Sequence, residues 1–166
     1  MLNAGLTLLH NIQSAHQSKF KTGILLFDIQ GYFNNINHEC LIKIFMDLGF
    51  APELVKWCRS FLKDRTVRLK FNGKISDPFD YTVETPQGSP VSSVLSTIYT
   101  SPLLYKIKHW NKASLGMYIN NGVIFACGQD WDQVKSTMRN SYQECIDWLM
   151  KAGLNVEPEK SELLFF

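Results

Sequence analysis

Three short stretches carry residues whose types and spacing suit chemistry. In Phe27-Asp28-Ile29-Gln30-Gly31-Tyr32-Phe33 an aspartate stands near the end of an apolar run. A buried carboxylate costs free energy unless it is paired or holds a metal; the plainer reading is a capping or turn aspartate. In Thr85-Pro86-Gln87-Gly88-Ser89-Pro90 a glycine and a polar amide precede a helix start, with Ser89 as cap and Pro90 at the first helical position. Such a start offers free N–H groups to phosphate, and a plain N-cap accounts for the same residues. In Met117-Tyr118-Ile119-Asn120-Asn121-Gly122-Val123 two amides sit at the tip of a predicted hairpin. By local chemistry alone this is an Asn-Gly turn of type I′.

The elements around these stretches follow from apolar periodicity. Residues 2–17 read as an amphipathic helix and Thr22 to Ile29 as a strand buried on both faces. Asn37 caps a helix whose buried face is Leu41, Ile44, Phe45 and Leu48, and Gly49 stops it. Pro52 begins the next helix, which runs to about Leu62. Thr66 to Phe71 alternates as a strand, Asn72-Gly73 turns the chain, and Phe79 to Glu84 is the predicted partner. A helix from Ser89-Pro90 extends toward Trp110, with a kink or break expected at Pro102. Leu115–Ile119 and Val123–Cys127 form a hairpin joined through Asn120-Asn121-Gly122. Trp131 to Ala152 is a long helix ended by Gly153, and Ser161 to Phe166 is a last strand. This order argues an α+β fold, an antiparallel sheet with helices packed on one face. No repeat or linker interrupts it, so residues 1–166 are expected to form one domain.

Bulk properties exclude several classes. The net charge is only +2, so any nucleic-acid contact must be a local patch. Lys63, Arg65, Arg68, Lys70 and Lys74 form the one loose basic stretch, which also reads as a solvated strand-and-turn face. Cys40, Cys58, Cys127 and Cys145 show no C-x-x-C pair and read as reduced thiols of an intracellular protein. His10, His16, His38 and His109 lack ligand spacing. No apolar run approaches the ~20 residues of a membrane span, and the first residues lack the charged start of a signal peptide.

In order and spacing the three stretches resemble the reverse transcriptase family. Trp57 to Thr66 (WCRSFLKDRT) and Leu154 to Glu162 (LNVEPEKSE) resemble its non-LTR, LINE-type branch, and the resemblance runs from about Leu6 to Phe166. It implies a polymerase palm, ferredoxin-like in its sheet, with the family's fingers and thumb largely outside this segment. It implies RNA-directed DNA synthesis by nucleotidyl transfer on an RNA or DNA primer-template, with Mg2+ or Mn2+ as cofactor. Asp28 matches the palm carboxylate that binds both metals. Phe33 matches the aromatic gate at the nucleotide's 2′ position. Gln87 and Gly88 match residues lining the incoming nucleotide and template base. Lys160 matches a lysine that protonates the leaving pyrophosphate. Tyr118 to Asn121 matches the Tyr-x-Asp-Asp box, with Asn120 and Asn121 in place of both acids. Asn34 and Asn37 also stand where relatives often carry aspartate.

An asparagine keeps the shape of aspartate and supplies no formal charge. The expectation is therefore weak or absent metal binding and little or no polymerase activity. The alternative is a nucleic-acid-binding or protein-interaction module on the same fold. Apolar surface left where neighbouring subdomains would pack is expected to favour self-association.

Overall fold

The computed structural model describes residues 2–63, 66–80, 89–110 and 112–166, the side chains at 2–4, 80 and 108 excepted. In chain order the elements are α1 (Leu2–Gln17), β1 (Lys21–Gln30), α2 (His38–Asp47), α3 (Pro52–Leu62), β2 (Thr66–Val67), β3 (Lys70–Phe71), β4 (Lys74–Ile75), β5 (Phe79–Asp80), α4 (Pro90–Lys106), β6 (Ala113–Tyr118), β7 (Asn121–Gly128), α5 (Trp131–Lys151) and β8 (Asn155–Phe165). They divide into two compact units, Met1–Tyr32 with Thr100–Phe166, and Phe33–Tyr99.

The first unit is built on a four-stranded sheet in the order β6-β7-β1-β8, antiparallel at every pairing. The apolar run Thr22–Ile29 lies in an inner strand because both of its faces are covered. Ile24, Phe27 and Ile29 are each at most 3% exposed. Burial of this kind contributes about 1.5–3 kcal/mol per large side chain. Asp130 caps α5, its carboxylate accepting the Gln133 N–H at 2.8 Å. The helix buries Val134, Met138, Cys145 and Leu149. Its contacts are mainly with β7 and β1, and Tyr142 meets Phe27 with ring centres 6.0 Å apart. On the other face α1 sets Leu8, Ile12 and Ala15 against Ile24, Leu26, Val123, Phe125 and Cys127.

The last strand begins six residues earlier than the sequence pattern predicts, at Asn155. Pro158 and the charges of Glu157, Glu159 and Lys160 hide it from pattern reading. An edge strand tolerates both features, because one side of its backbone faces away from the sheet.

The second unit packs α2 on α3. Asn37 caps α2 as predicted, its side-chain oxygen accepting the Cys40 N–H at 2.9 Å. The buried face is Leu41, Ile42 and Phe45, whereas Leu48 is exposed at the C-cap. The predicted strand Thr66–Phe71 is two short pieces. Thr66–Val67 pairs with β5, and Lys70–Phe71 pairs with β4 around the Asn72-Gly73 turn. Both turn residues take positive φ, 47° and 76°, as a type I′ turn requires. Residues 81–84 of the predicted partner strand lie outside the described residues.

One helix contradicts the expected break. α4 continues through Pro102, and a short 3-10 turn, Ile107–His109, follows it. Leu95, Tyr99 and Leu103 are buried along its length, and packing of this kind overrides the local penalty of one proline. No helix among the described residues is long and apolar enough to cross a membrane.

Candidate active site

The site forms where the ends of three strands meet. Asp28 lies near the end of β1, paired with Asn121 of β7 on one side and Glu157 of β8 on the other. Its side chain is 14% exposed. The hairpin β6–β7 pairs Tyr118 directly with Asn121, so the turn residues are Ile119 and Asn120. This corrects the Asn120-Asn121-Gly122 turn predicted above. Ile119 takes φ 55°, a left-handed conformation that a β-branched residue rarely adopts. Such a residue stores about 1–3 kcal/mol of strain, which the surrounding pairings must hold. The Ile29 N–H donates to the Asn120 carbonyl at 2.8 Å, tying the turn to β1 beside Asp28.

Gly122 is explained by packing, since it lies inside β7. It pairs with Phe27, and a Cβ at Gly122 would stand 2.1 Å from Phe27 Cζ. The buried ring therefore lies on the glycine and fills the space a side chain would need.

The side chains form one continuous hydrogen-bonded chain. The Asn120 amide donates to Asp28 Oδ1. An ionised carboxylate only accepts, so Asn120 must turn its NH2 toward Asp28. Its oxygen is left to accept from Asn121 Nδ2 at 3.1 Å. From the other side Lys160 Nζ reaches Asp28 Oδ2 at 3.3 Å and Glu157 Oε2 at 2.7 Å. Hydrogen bonds to Glu157 and then to Asp28 hold the ammonium above its ordinary range.

Glu157 gets there by a register shift. Between the pairs Asp28↔Glu157 and Leu26↔Glu162, β8 carries residues 158–161 against Phe27 alone. This wide bulge re-aims the strand, as bulges beside functional sites do. The Ser161 hydroxyl donates to the Glu157 carbonyl at 3.4 Å across it.

The structure thus gathers four predicted residues, Asp28, Asn120, Asn121 and Lys160. Tyr118 adjoins them in the register and is 48% exposed. Phe33 is half-buried in the 3-10 turn Tyr32–Asn35, at the first residue of the second unit. Gln87 and Gly88 lie outside the described residues. Glu157 is the site residue that sequence reasoning missed. Its signal was an acid three residues before Lys160 on a strand, and only the bulge turns that spacing into a contact.

The donor set does not fit a two-metal centre. Divalent ions of the magnesium type need oxygen ligands. Here one oxygen of Asp28 accepts an amide N–H and the other faces an ammonium. Glu157 is drawn to the same ammonium, leaving a net charge of −1 from two acids and one lysine. Among the described residues no group of three or more His, Cys, Asp or Glu could hold a metal ion.

Residues 3–165 match the reverse transcriptase (RNA-dependent DNA polymerase) family. The chain belongs to that family. Nothing among curated proteins matches. Solved structures show the same fold. The telomerase of Candida tropicalis, in complex with a TWJ fragment of telomeric RNA, aligns over 96% of this chain and 29% of its own, with TM-score 0.74 and 15% identity. The apo C. tropicalis telomerase truncated from its C-terminal domain aligns over 98% of this chain and 34% of its own, with TM-score 0.73 and 16% identity. The Candida albicans telomerase with a TWJ fragment of telomeric RNA gives TM-score 0.65 at 14% identity, over 87% and 28%. This chain therefore spans about a third of those proteins or less. The α+β, antiparallel, palm-like fold expected from the sequence is the fold observed, with helices on both faces of the sheet where one was expected.

Proposed function

We propose that this chain is a reverse-transcriptase palm of the non-LTR, LINE-type branch that has kept the shape of its cleft and lost nucleotidyl transfer. One observation carries the reading. Asp28, the acid at the first family position, has both oxygens engaged by Asn120 and Lys160. In two-metal transfer one ion activates the attacking oxygen and the other neutralises the leaving group. Loss of even one group that stabilises developing charge costs about 10²–10³ in rate in other enzymes. Two lost carboxylates are expected to cost at least as much.

What remains is a binding role. Two of the telomerase structures that share the fold hold a TWJ fragment of telomeric RNA, which supports a nucleic-acid partner here. Calorimetry with Mg2+ and Mn2+ tests the site. Wild type is expected to give no heat of binding, and the double variant Asn120→Asp/Asn121→Asp to gain it. Binding by wild type that Asp28→Ala abolishes would defeat the proposal.

Self-association belongs to the same proposal. Leu163, Leu164, Phe165 and Phe166 are each 42–54% exposed, and all but Phe166 lie in the edge strand β8. Light scattering across micromolar concentrations is expected to show a rising mass, and a constant monomer mass would refute it.

A further inference from the structure

The second unit carries an exposed apolar surface, the β3–β4 hairpin. Every residue from Arg68 to Phe79 is exposed. Leu69, Phe71 and Ile75 are 62%, 77% and 60% exposed, which is unusual for three large apolar side chains within seven residues. The hairpin is nonetheless well built. The Leu69 N–H donates to Ser76 Oγ, and the Ser76 N–H to the Leu69 carbonyl, both at 2.9 Å. Asn72-Gly73 closes the other end. A hydrogen-bonded hairpin presenting bare apolar groups can place them against a partner.

Charge says what that is. Residues 66–79 hold Arg68, Lys70 and Lys74 against Asp77, a net +2 in fourteen residues and as much as the whole chain carries. None of the three cations is ion-paired to a described residue. The register sets Phe71 directly across from Lys74, and Lys70 across from Ile75. Opposed residues share a face of the ladder, so each face carries a cation beside an apolar group. On the Phe71 face an aromatic ring stands beside the Lys74 ammonium, which matches a base and its neighbouring phosphate in an unpaired nucleic-acid strand. A duplex keeps its bases stacked and hidden, and an acidic partner would leave the ring unused.

We propose that the β3–β4 hairpin grips single-stranded nucleic acid, with Phe71 stacking on a base and Lys74, on the same face, neutralising the adjoining phosphate. This rests on the binding role proposed above. The test is fluorescence anisotropy of the full chain with short labelled strands of RNA, of DNA of the same sequence, and of their duplex, at about 50 to 200 mM salt. Single strands are expected to bind more tightly than duplex, and the RNA and DNA arms identify the natural strand. Phe71→Leu keeps an apolar side chain and removes the ring face. It is expected to weaken binding about 5- to 150-fold with the salt slope unchanged. Phe71→Trp is expected to restore it. Lys74→Gln is expected to lower the log–log salt slope by about 0.7.

Circular dichroism checks that these surface variants stay folded. If wild type binds and neither variant set changes affinity or slope, the hairpin proposal falls and the binding role stands. If wild type binds no strand, both fall. If Phe71→Leu lowers a self-associated mass in light scattering and leaves strand binding intact, the hairpin joins copies of the chain and the proposal is wrong.

Discussion

Replacing Asn120 by aspartate reverses the polarity of one contact and leaves its shape alone. In the wild type the Asn120 amide donates to Asp28. In Asn120→Asp a second carboxylate faces the first with no proton between them. Two unit charges about 4 Å apart repel by about 4 kcal/mol at an effective dielectric of about 20. Lys160, 3.3 Å from the far oxygen of Asp28, and partial solvent exposure reduce this. A loss of about 2 kcal/mol at pH 7 is expected. The sign with pH follows from the repulsion. The introduced pair takes up a proton more readily folded than unfolded, so its folded pKa lies above the unfolded value of about 3.9. Stability equals that of wild type below about pH 4 and falls as pH rises through the folded value. Urea unfolding of both proteins across this range reads the difference. Added Mg2+ is expected to recover part of the loss at pH 7, because an ion that binds only the folded cleft stabilises it. A variant as stable as wild type at pH 7, with and without Mg2+, would refute the account of the cleft.

Gly122→Ala is expected to destabilise by about 1–3 kcal/mol through its clash with Phe27 Cζ, and Phe27→Leu in the same chain to relieve most of that added cost; independent, additive losses in urea unfolding would show that the ring and the glycine are not coupled. Cys40 is exposed, whereas Cys58 and Cys145 are 0% exposed. Burial first and Glu144 second push the Cys145 thiol up to about 12, so a thiol reagent near neutral pH is expected to label Cys40 quickly and Cys145 only after unfolding, as mass spectrometry would show. The Lys160 ammonium is held above its ordinary 10.5, so its contribution to stability is present below that pH and disappears as pH rises through the folded value; the difference in unfolding midpoint between wild type and Lys160→Met is expected to be steady from neutral pH to about 10 and to close above it.

Much of the fold was legible because its signals are local. The Thr22–Ile29 run, the Asn37 cap, the Asn72-Gly73 turn and the stop at Gly153 each depend on a few neighbouring residues, and each appears where expected. The sheet's order was accessible only through family resemblance. The misses are non-local. Asn120-Asn121-Gly122 is good turn chemistry, but the turn forms two residues earlier because Gly122 is wanted under Phe27, which is 95 residues away in sequence. Glu157 joins the site only because β8 bulges against Phe27, and no spacing rule predicts a bulge of that width. Pro102 was read by its local penalty, and burial along α4 outweighed it. Of the site itself, Asp28, Asn120, Asn121 and Lys160 were legible as positions. Their mutual hydrogen bonds, which join them in one polar chain, were not.

Primer extension on an RNA template, with Mg2+ and separately with Mn2+, tests the central claim most directly. The wild-type chain is expected to give no extension above the level of Asp28→Ala. Extension by wild type that Asp28→Ala abolishes would contradict it, because Asp28 would then be free to hold metal in spite of Asn120 and Lys160.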